Sequence, residues 1–466
     1  MQRRQFLVAS GLSCAGLTWG QSAIGDPALT RPSGPRHAKS TILFFLCGGA
    51  SHLDMWDLKP HAPREYRGPF SPIATSAPGV NLCEHLPLLA QQAHHLAVVN
   101  SVAATVNTND HHGGYYHNLT GHAPDLSFVT LGNNRTPFPE DWPFMGSVVS
   151  AKLAKHPNLP NAISLPHMPS KAPYTRPGQF AARIGVEHDP MYVQGSLEEP
   201  NKFLVPSLVL EGDISAHRMT DRYSLLQEID TAHRRFSSSP SLNSLSVNQE
   251  RALSLLLSSN TTEAFDVASE PDSVIARYGK SINGMSLLLA RRLVEAEVPF
   301  ITVFWKEDEN RLAKKCASAG GWDTHQNNFN CLKEDLLPEF DRGFSALIED
   351  LSQRGLLDET LVLVTSEMGR KPKIGDPRSG GEYGAGRDHW THCLTDILAG
   401  GGIRGGQTYG ASDQYGEYPL EKKVTPGDIA NTVYHAMGID DLTAHDKFGR
   451  PYYLLENSRP IAELFG

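Results

Sequence analysis

No stretch of this 466-residue chain is apolar for long enough to cross a bilayer. Cysteine is scarce. There are six, with no C-x-x-C pair among them, which argues against a zinc–thiolate site. A basic surplus is also missing. The 42 Lys and Arg stand against 51 Asp and Glu, for a formal net charge of −9. An extended nucleic-acid surface, which needs clustered Lys and Arg, is therefore excluded. No internal repeat is apparent. Histidine, by contrast, is plentiful: there are 20, several in short clusters with acids.

The chain starts "MQRRQFLVASGLSCAGLTWG". Arg3 and Arg4 precede Phe6, Leu7 and a modest apolar stretch broken by Gly11, Ser13 and Gly16. This resembles a twin-arginine export signal, and it is too short to span a membrane. The expected organisation is a signal segment over 1–25, a Pro- and Arg-containing linker over 26–39, and one α/β domain over 40–466. The expected location is periplasmic or secreted. Cys14 falls in the signal, leaving Cys47, Cys83, Cys316, Cys331 and Cys393. Cys316 and Cys331 flank a candidate active loop and could form one bridge in an oxidising compartment.

Four short apolar runs read as buried strands: "TILFFLC", "LAVVNSV", "PFITVFW" and "DETLVLVTSEMG". Between them, residues 246–298 read as helices. "NFNCLKEDLLPEFDRGFSALIEDLSQRG" reads as one long amphipathic helix, with Leu332, Leu336, Phe340, Phe344, Leu347 and Leu351 at helical spacing. "PGDIANTVYHAMGI" is a further helix. Strands alternating with helices predict a mostly parallel sheet covered on both faces. Sites in such sheets form beyond the carboxyl ends of the strands.

Four polar clusters follow those strands. "GGASHLDMWD" holds His52, Asp54 and Asp57. "NDHHGGYYHNLTG" holds Asp110, His111, His112 and His117. "GGWDTHQNN" holds Asp323 and His325. "SEMGR" and "GRDHWTH" hold Glu367, Arg370, Arg387, Asp388, His389 and His392. Mixed imidazoles and carboxylates suit Zn²⁺ or Mn²⁺, and carboxylates alone suit Mg²⁺ or Ca²⁺. Each cluster also has a plainer explanation. Asp54 could cap a helix, His111 and His112 could be loop histidines, and Asp323 and His325 could be a simple hydrogen-bonded pair. Glu367 could pair with Arg370 or Arg387, and His389 could be an ordinary polar neighbour of Trp390. These explanations weaken when one sheet edge gathers all four clusters.

At this point the chain resembles the DUF1501 proteins, a group near the alkaline phosphatase and sulfatase superfamily. The resemblance runs through "RRQFL", "GGASHLDMWDLKP", "LARRLVEAEVPFITV", "GGWDTH", "LLDETLVLVTSEMGR", "GRDHW", "LAGGGIRGG" and "GRP". It implies a three-layer α/β/α sandwich of alkaline-phosphatase type with one or two divalent ions, Zn or Mn first and Ca or Mg next. Asp323, His325 and His389 match the ligands of one ion. Asp54 and Glu367 match ligands of the other, which His111 could help to hold. There the pattern departs, because Met368 stands where a histidine would sit. In sulfatases the nucleophile lies in a C-x-P-S-R stretch followed by T-G. Counting back from Thr120–Gly121 puts His111 in that place, and no cysteine here has the C-x-P context. A formylglycine sulfatase is therefore not expected.

The function expected is an exported metal-dependent hydrolase of phosphate or sulfate esters. Its substrate would be an anionic ester, such as one on a sulfated or phosphorylated glycan. His111 would take part in catalysis, and Arg370 and Arg387 would clamp the anion. The rival expectation is a non-catalytic secreted binding protein that keeps the fold.

Overall fold

The structure is a computed structural model that describes residues 38–171, 174–205, 263–316, 321–375, 386–445 and 448–466. The expected signal segment, Cys14, nearly all of the linker and the first part of the 246–298 helical region lie outside them.

The eight strands of the main sheet are β1 (Ser40–Phe45), β2 (Leu96–Val102), β3 (Ala162–Leu165), β4 (Met191–Tyr192), β5 (Phe300–Phe304), β6 (Thr360–Thr365), β7 (Leu394–Ala399) and β8 (Gln407–Tyr409). Their order is β8–β2–β7–β6–β1–β5–β3–β4. Five of the seven pairings are parallel. The two antiparallel ones both belong to β7. The four strands expected from apolar runs are β1, β2, β5 and β6, and all four run in one direction. β1 lies in the middle and every one of its residues is buried, which is why it reads as a continuous apolar run rather than an alternating one.

Successive strand residues point to opposite faces, and β1 shows what covers each. Phe44 stacks on Phe340 at 5.7 Å, while Phe45 packs on Tyr115 at 4.8 Å. Phe340 belongs to helix Leu337–Gln353, and Tyr115 to helix His111–Thr120. Phe300 is in register with Thr41, hence on the Phe45 side. It meets Phe144, which precedes helix Met145–Lys152. Helices Pro87–Gln92, Asp272–Tyr278 and Ile282–Glu295 pack with Leu337–Gln353 on one face, and Pro426–Ala436 packs with His111–Thr120 on the other. The result is the expected three-layer α/β/α sandwich. Phe44 and Phe45 are fully buried, and each such side chain contributes about 1.5–3 kcal/mol.

The long helix expected over "NFNCLKEDLLPEFDRG" contains a change of pitch. Residues Leu332–Leu336 form a π-helical turn between Asn328–Cys331 and Leu337–Gln353. Pro338 follows at once. Its ring would clash with the carbonyl four residues back in a regular α-helix, and a wider turn relieves that contact. The apolar stripe survives the change: Leu332, Leu336, Phe340, Phe344, Leu347 and Leu351 are all buried.

Among the described residues no helix is long and apolar enough to cross a membrane.

Candidate metal centre

The parallel strands end at one edge, and the polar clusters lie there. The segment after β1 carries Asp54, that after β2 carries His111, that after β5 carries Asp323 and His325, and that after β6 carries Glu367. His389 precedes β7 instead of following a strand. Because β7 runs opposite to its neighbours, its beginning lies at the edge where theirs end. The strand reversal therefore delivers His389 to the same place.

Asp323 is the hub. Its Oδ1 lies 3.0 Å from His325 Nε2, 3.1 Å from His389 Nε2 and 2.5 Å from Arg370 Nη2. Its Oδ2 lies 3.3 Å from His111 Nε2. Burial alone would raise its pKa. The Arg370 charge and the hydrogen bonds from the three histidines outweigh burial and hold it well below the usual carboxylate range.

Two of the three rings have their outer nitrogen occupied. His389 Nδ1 is 2.9 Å from the carbonyl oxygen of Asn109. A carbonyl only accepts, so Nδ1 carries a proton and donates to it, and Nε2 is the ring nitrogen that faces Asp323. Asn109 sits in the left-handed region at φ 49°, and its side-chain oxygen accepts from the N–H and hydroxyl of Thr391. His111 Nδ1 is 2.8 Å from Glu367 Oε1, an arrangement in which a carboxylate fixes a ring whose other nitrogen is left to ligate. His325 Nε2 and His389 Nε2 are 3.0 Å apart. Two lone pairs at that distance repel unless a proton or a cation lies between them.

Burial lowers the pKa of His389, and its bond to Asp323 only partly offsets this. Burial pulls His111 the same way, but its hydrogen bonds to Asp323 and Glu367 win and its pKa is raised. For Glu367 burial acts upward. The His111 hydrogen bond, the His111 charge and the Arg176 charge outweigh it and lower the pKa.

Two overlapping sets have ligand atoms close enough to hold an ion: His111, Asp323 and His389, and His325, Asp388 and His389. This donor set of imidazoles and carboxylates fits Zn²⁺ or Mn²⁺. The structure brings together His111, Asp323, His325 and His389, with Glu367 behind His111. Asp388 joins them, its Oδ1 3.5 Å from His325 Nδ1. Its place beside His389 in "GRDHW" was the available signal. Asn109 and Arg176 carried no comparable signal in the sequence.

Asp54 is placed elsewhere. It is fully buried and held by Arg387, through Nε to Oδ2 at 2.8 Å and Nη2 to Oδ1 at 3.0 Å. Ser51 Oγ and Asn328 Nδ2 also donate to Oδ2, at 2.7 and 3.0 Å. Asp54 lies inside the short helix His52–Met55, whose N-cap is Ser51, so it does not cap that helix. Neither arginine expected to clamp an anion is open to one. Arg370 is fully buried, donating to the carbonyls of Gly48, Gly49, Trp322 and Arg387 and to Asp323. Arg387, equally buried, donates to Asp54 and to the carbonyls of Tyr66, Lys371 and Pro372.

The glycine pair after β1 is explained by the same network. Gly48 and Gly49 have φ of 118° and 87°, a region that favours glycine. This turn aims the Gly48 N–H at Glu367 Oε1, 2.8 Å away, and presents both carbonyls to Arg370. A Cβ at Gly49 would come within 2.9 Å of Met368 Cγ. Met368, standing where the resemblance expects a histidine, is thus a buried packing residue against the turn.

Cys316 and Cys331 form a disulfide across the loop that carries Asp323 and His325, while Cys47, Cys83 and Cys393 are free and buried.

No curated protein matches the chain. Among solved structures it is similar to a Bacteroides thetaiotaomicron structure described under the metabolism of multiple glycosaminoglycans, at 14% identity and TM-score 0.43 over 92% of this chain and 76% of that one. It is similar to a phosphonate monoester hydrolase from Silicibacter pomeroyi at 12% identity and TM-score 0.43, over 91% and 76%. A sulfatase from Pseudoalteromonas sp. gives 13% identity and TM-score 0.38, over 87% and 68%. Likenesses at this level carry no argument about the reaction. The family described as "Protein of unknown function (DUF1501)" matches residues 38–465, nearly the whole described chain, and the protein belongs to that family.

Proposed function

We propose that the protein is an exported, metal-dependent hydrolase of phosphate or sulfate esters, built as one alkaline-phosphatase-like domain over 40–466. The observation that supports this is the convergence of three imidazole Nε2 atoms on the Asp323 carboxylate, two of the rings having their outer nitrogen tied down. Asp323, His325 and His389 would hold a divalent ion, with His111 and Asp388 close enough to contribute. When bound, such an ion supplies Lewis acidity toward an ester oxygen. The chain's own residues do the rest. Arg370 fixes Asp323, Asn109 holds the His389 proton at Nδ1, and Glu367 holds the His111 ring. His111 can then take or return a proton at Nε2. His325 has the most exposed side chain of the three rings, at 26%, so substrate would enter on its side.

One observation favours the rival reading of a secreted binding protein. A histidine occupies the position expected of the nucleophile, and both of its nitrogens face carboxylates.

The test is metal analysis of protein expressed with Zn²⁺ and Mn²⁺ available, followed by a panel of aryl phosphates and sulfates. The wild type should contain stoichiometric metal and turn over at least one ester class. His325→Ala should fold, lose close to one metal per chain and lose that activity. A wild type with no stoichiometric metal at neutral pH ends the hydrolase reading. Export is tested separately: replacing Arg3 and Arg4 with Lys should trap the precursor in the cytoplasm, and normal export of that variant refutes the twin-arginine reading.

A further inference from the structure

The expected anion clamp is closed, since Arg370 and Arg387 spend their donors on the protein. A third arginine near the site is in a different state. Arg176 is half-buried, and among the described residues the one hydrogen bond of its side chain runs from Nη1 to His112 Nδ1 at 3.0 Å. Its guanidinium lies over the ring of Tyr115, 4.9 Å from the centroid. Tyr115 is one helical turn beyond His111, and His112 is its neighbour in sequence. The charge of Arg176 also reaches Glu367, the residue that holds His111.

Arg176 is not on a loose tether. It opens "RPGQ", where Gly178 has φ 87° and sits against the helix His111–Thr120. A Cβ there would fall 2.8 Å from the Tyr116 Cα, so only glycine lets this loop approach so closely. The buried amide of Gln179 donates to the Arg176 carbonyl at 2.7 Å and to the Pro169 carbonyl at 2.9 Å. Tyr192 Oη donates to the other end of that amide, Oε1, at 3.3 Å. The loop is thus pinned from both sides. It presents a guanidinium whose Nε and Nη2 have no protein partner among the described residues. A planar fork left open beside carboxylates and imidazoles suits a tetrahedral oxyanion, which can take two parallel N–H donors.

We propose that Arg176 is the anion-positioning residue of this site, receiving the phosphate or sulfate group of the substrate. The proposal rests on the hydrolase reading for its substrate, yet it concerns anion binding and can stand without turnover.

The probe is inorganic phosphate, with sulfate as a second anion, on the metal-loaded full chain. In the wild type, an arginine-selective dicarbonyl reagent followed by peptide mass spectrometry should modify Arg176 and spare buried Arg370 and Arg387. Saturating phosphate should slow modification of Arg176 at least about tenfold. By calorimetry, Arg176→Gln should weaken phosphate binding about tenfold or more with metal content unchanged, which a purely structural role would not do. Equal modification of Arg176 with and without phosphate overturns the proposal. So does a folded Arg176→Gln that binds phosphate like the wild type. The labelling arm uses only the wild type, so a variant that fails to fold leaves a decisive result. Protection by phosphate with no ester cleaved keeps Arg176 and ends the hydrolase reading. Turnover with no protection keeps the hydrolase reading and ends this one.

Discussion

Two carboxylate–arginine centres lie at the same sheet edge, and they are finished in opposite ways. At Asp54 both oxygens are taken by donors that cannot leave: Arg387, Ser51 and Asn328. At Asp323 one arginine is joined by three imidazoles whose Nε2 atoms crowd one small volume. The centres are linked, since the Arg387 carbonyl accepts from Arg370 Nη1 at 3.2 Å. The first is a sealed strut whose charges neutralise each other. The second is assembled from groups that could share a cation. An arginine beside an aspartate therefore does not by itself mark a binding site. What distinguishes the two is whether the remaining partners are a hydroxyl and an amide, or imidazoles that can also ligate.

The comparison can be broken most forcefully at the sealed centre. Arg387→Met leaves Asp54 buried without its counter-charge and should cost about 3–5 kcal/mol in urea unfolding. Metal content per folded chain should hold, because the link to Arg370 uses the Arg387 backbone. A change below about 1 kcal/mol would mean that the pair is not the strut described here. At the open centre the corresponding stroke falls on affinity. Asn109→Ala removes the anchor to Thr391 and strains a left-handed residue, loosening the carbonyl that orients His389. Metal affinity, measured against a competing chelator, should fall about 10- to 100-fold, with far less effect on folding. Affinity equal to wild type would detach Asn109 from the site.

The smallest effect is read from pH on chelator-stripped protein. The folded Asp323 carboxyl titrates far below its unfolded value of about 4. A depressed acid contributes stability that is complete above the unfolded pKa and is lost as pH falls below it. Below about pH 4 the wild type should therefore lose up to about 1.4 kcal/mol per pH unit more than Asp323→Asn. Parallel acid-unfolding curves for the two proteins would contradict that assignment.

Most of the fold was legible because β1, β2, β5 and β6 are buried on both faces and so read as unbroken apolar runs. β7 was less legible: "LTDILA" mixes Asp396 and Thr395 into its run and leads straight into a glycine stretch. The π-helical turn was hidden because helical spacing of the apolar stripe persists through it. At the site, His111, Asp323, His325 and His389 could be picked out, since imidazoles beside acids at strand ends have few structural uses. What could not be read was pairing. Which arginine meets which acid depends on side chains more than 40 residues apart: Asp54 with Arg387, Asp323 with Arg370. Asn109 contributes through its backbone carbonyl, which residue type does not reveal. Arg176 lies in a Pro- and Gly-rich stretch with little periodic pattern, where sequence says least about position.

The place of β1 sets an order of events for the growing chain. It is the first of the sheet's eight strands to be made and lies in its middle, yet its neighbours begin at residues 300 and 360. Its backbone groups therefore wait through the synthesis of some 260 further residues before either partner exists. Pairings of such long range fold slowly. The site is later still, because Gly48 needs Glu367 and Asp54 needs Arg387. With His389 as a ligand, as proposed, no nascent chain shorter than about 390 residues could hold an ion in this arrangement. Loading would then wait until most of the polypeptide is made. A translocation route that moves only folded cargo would place it before the membrane is crossed.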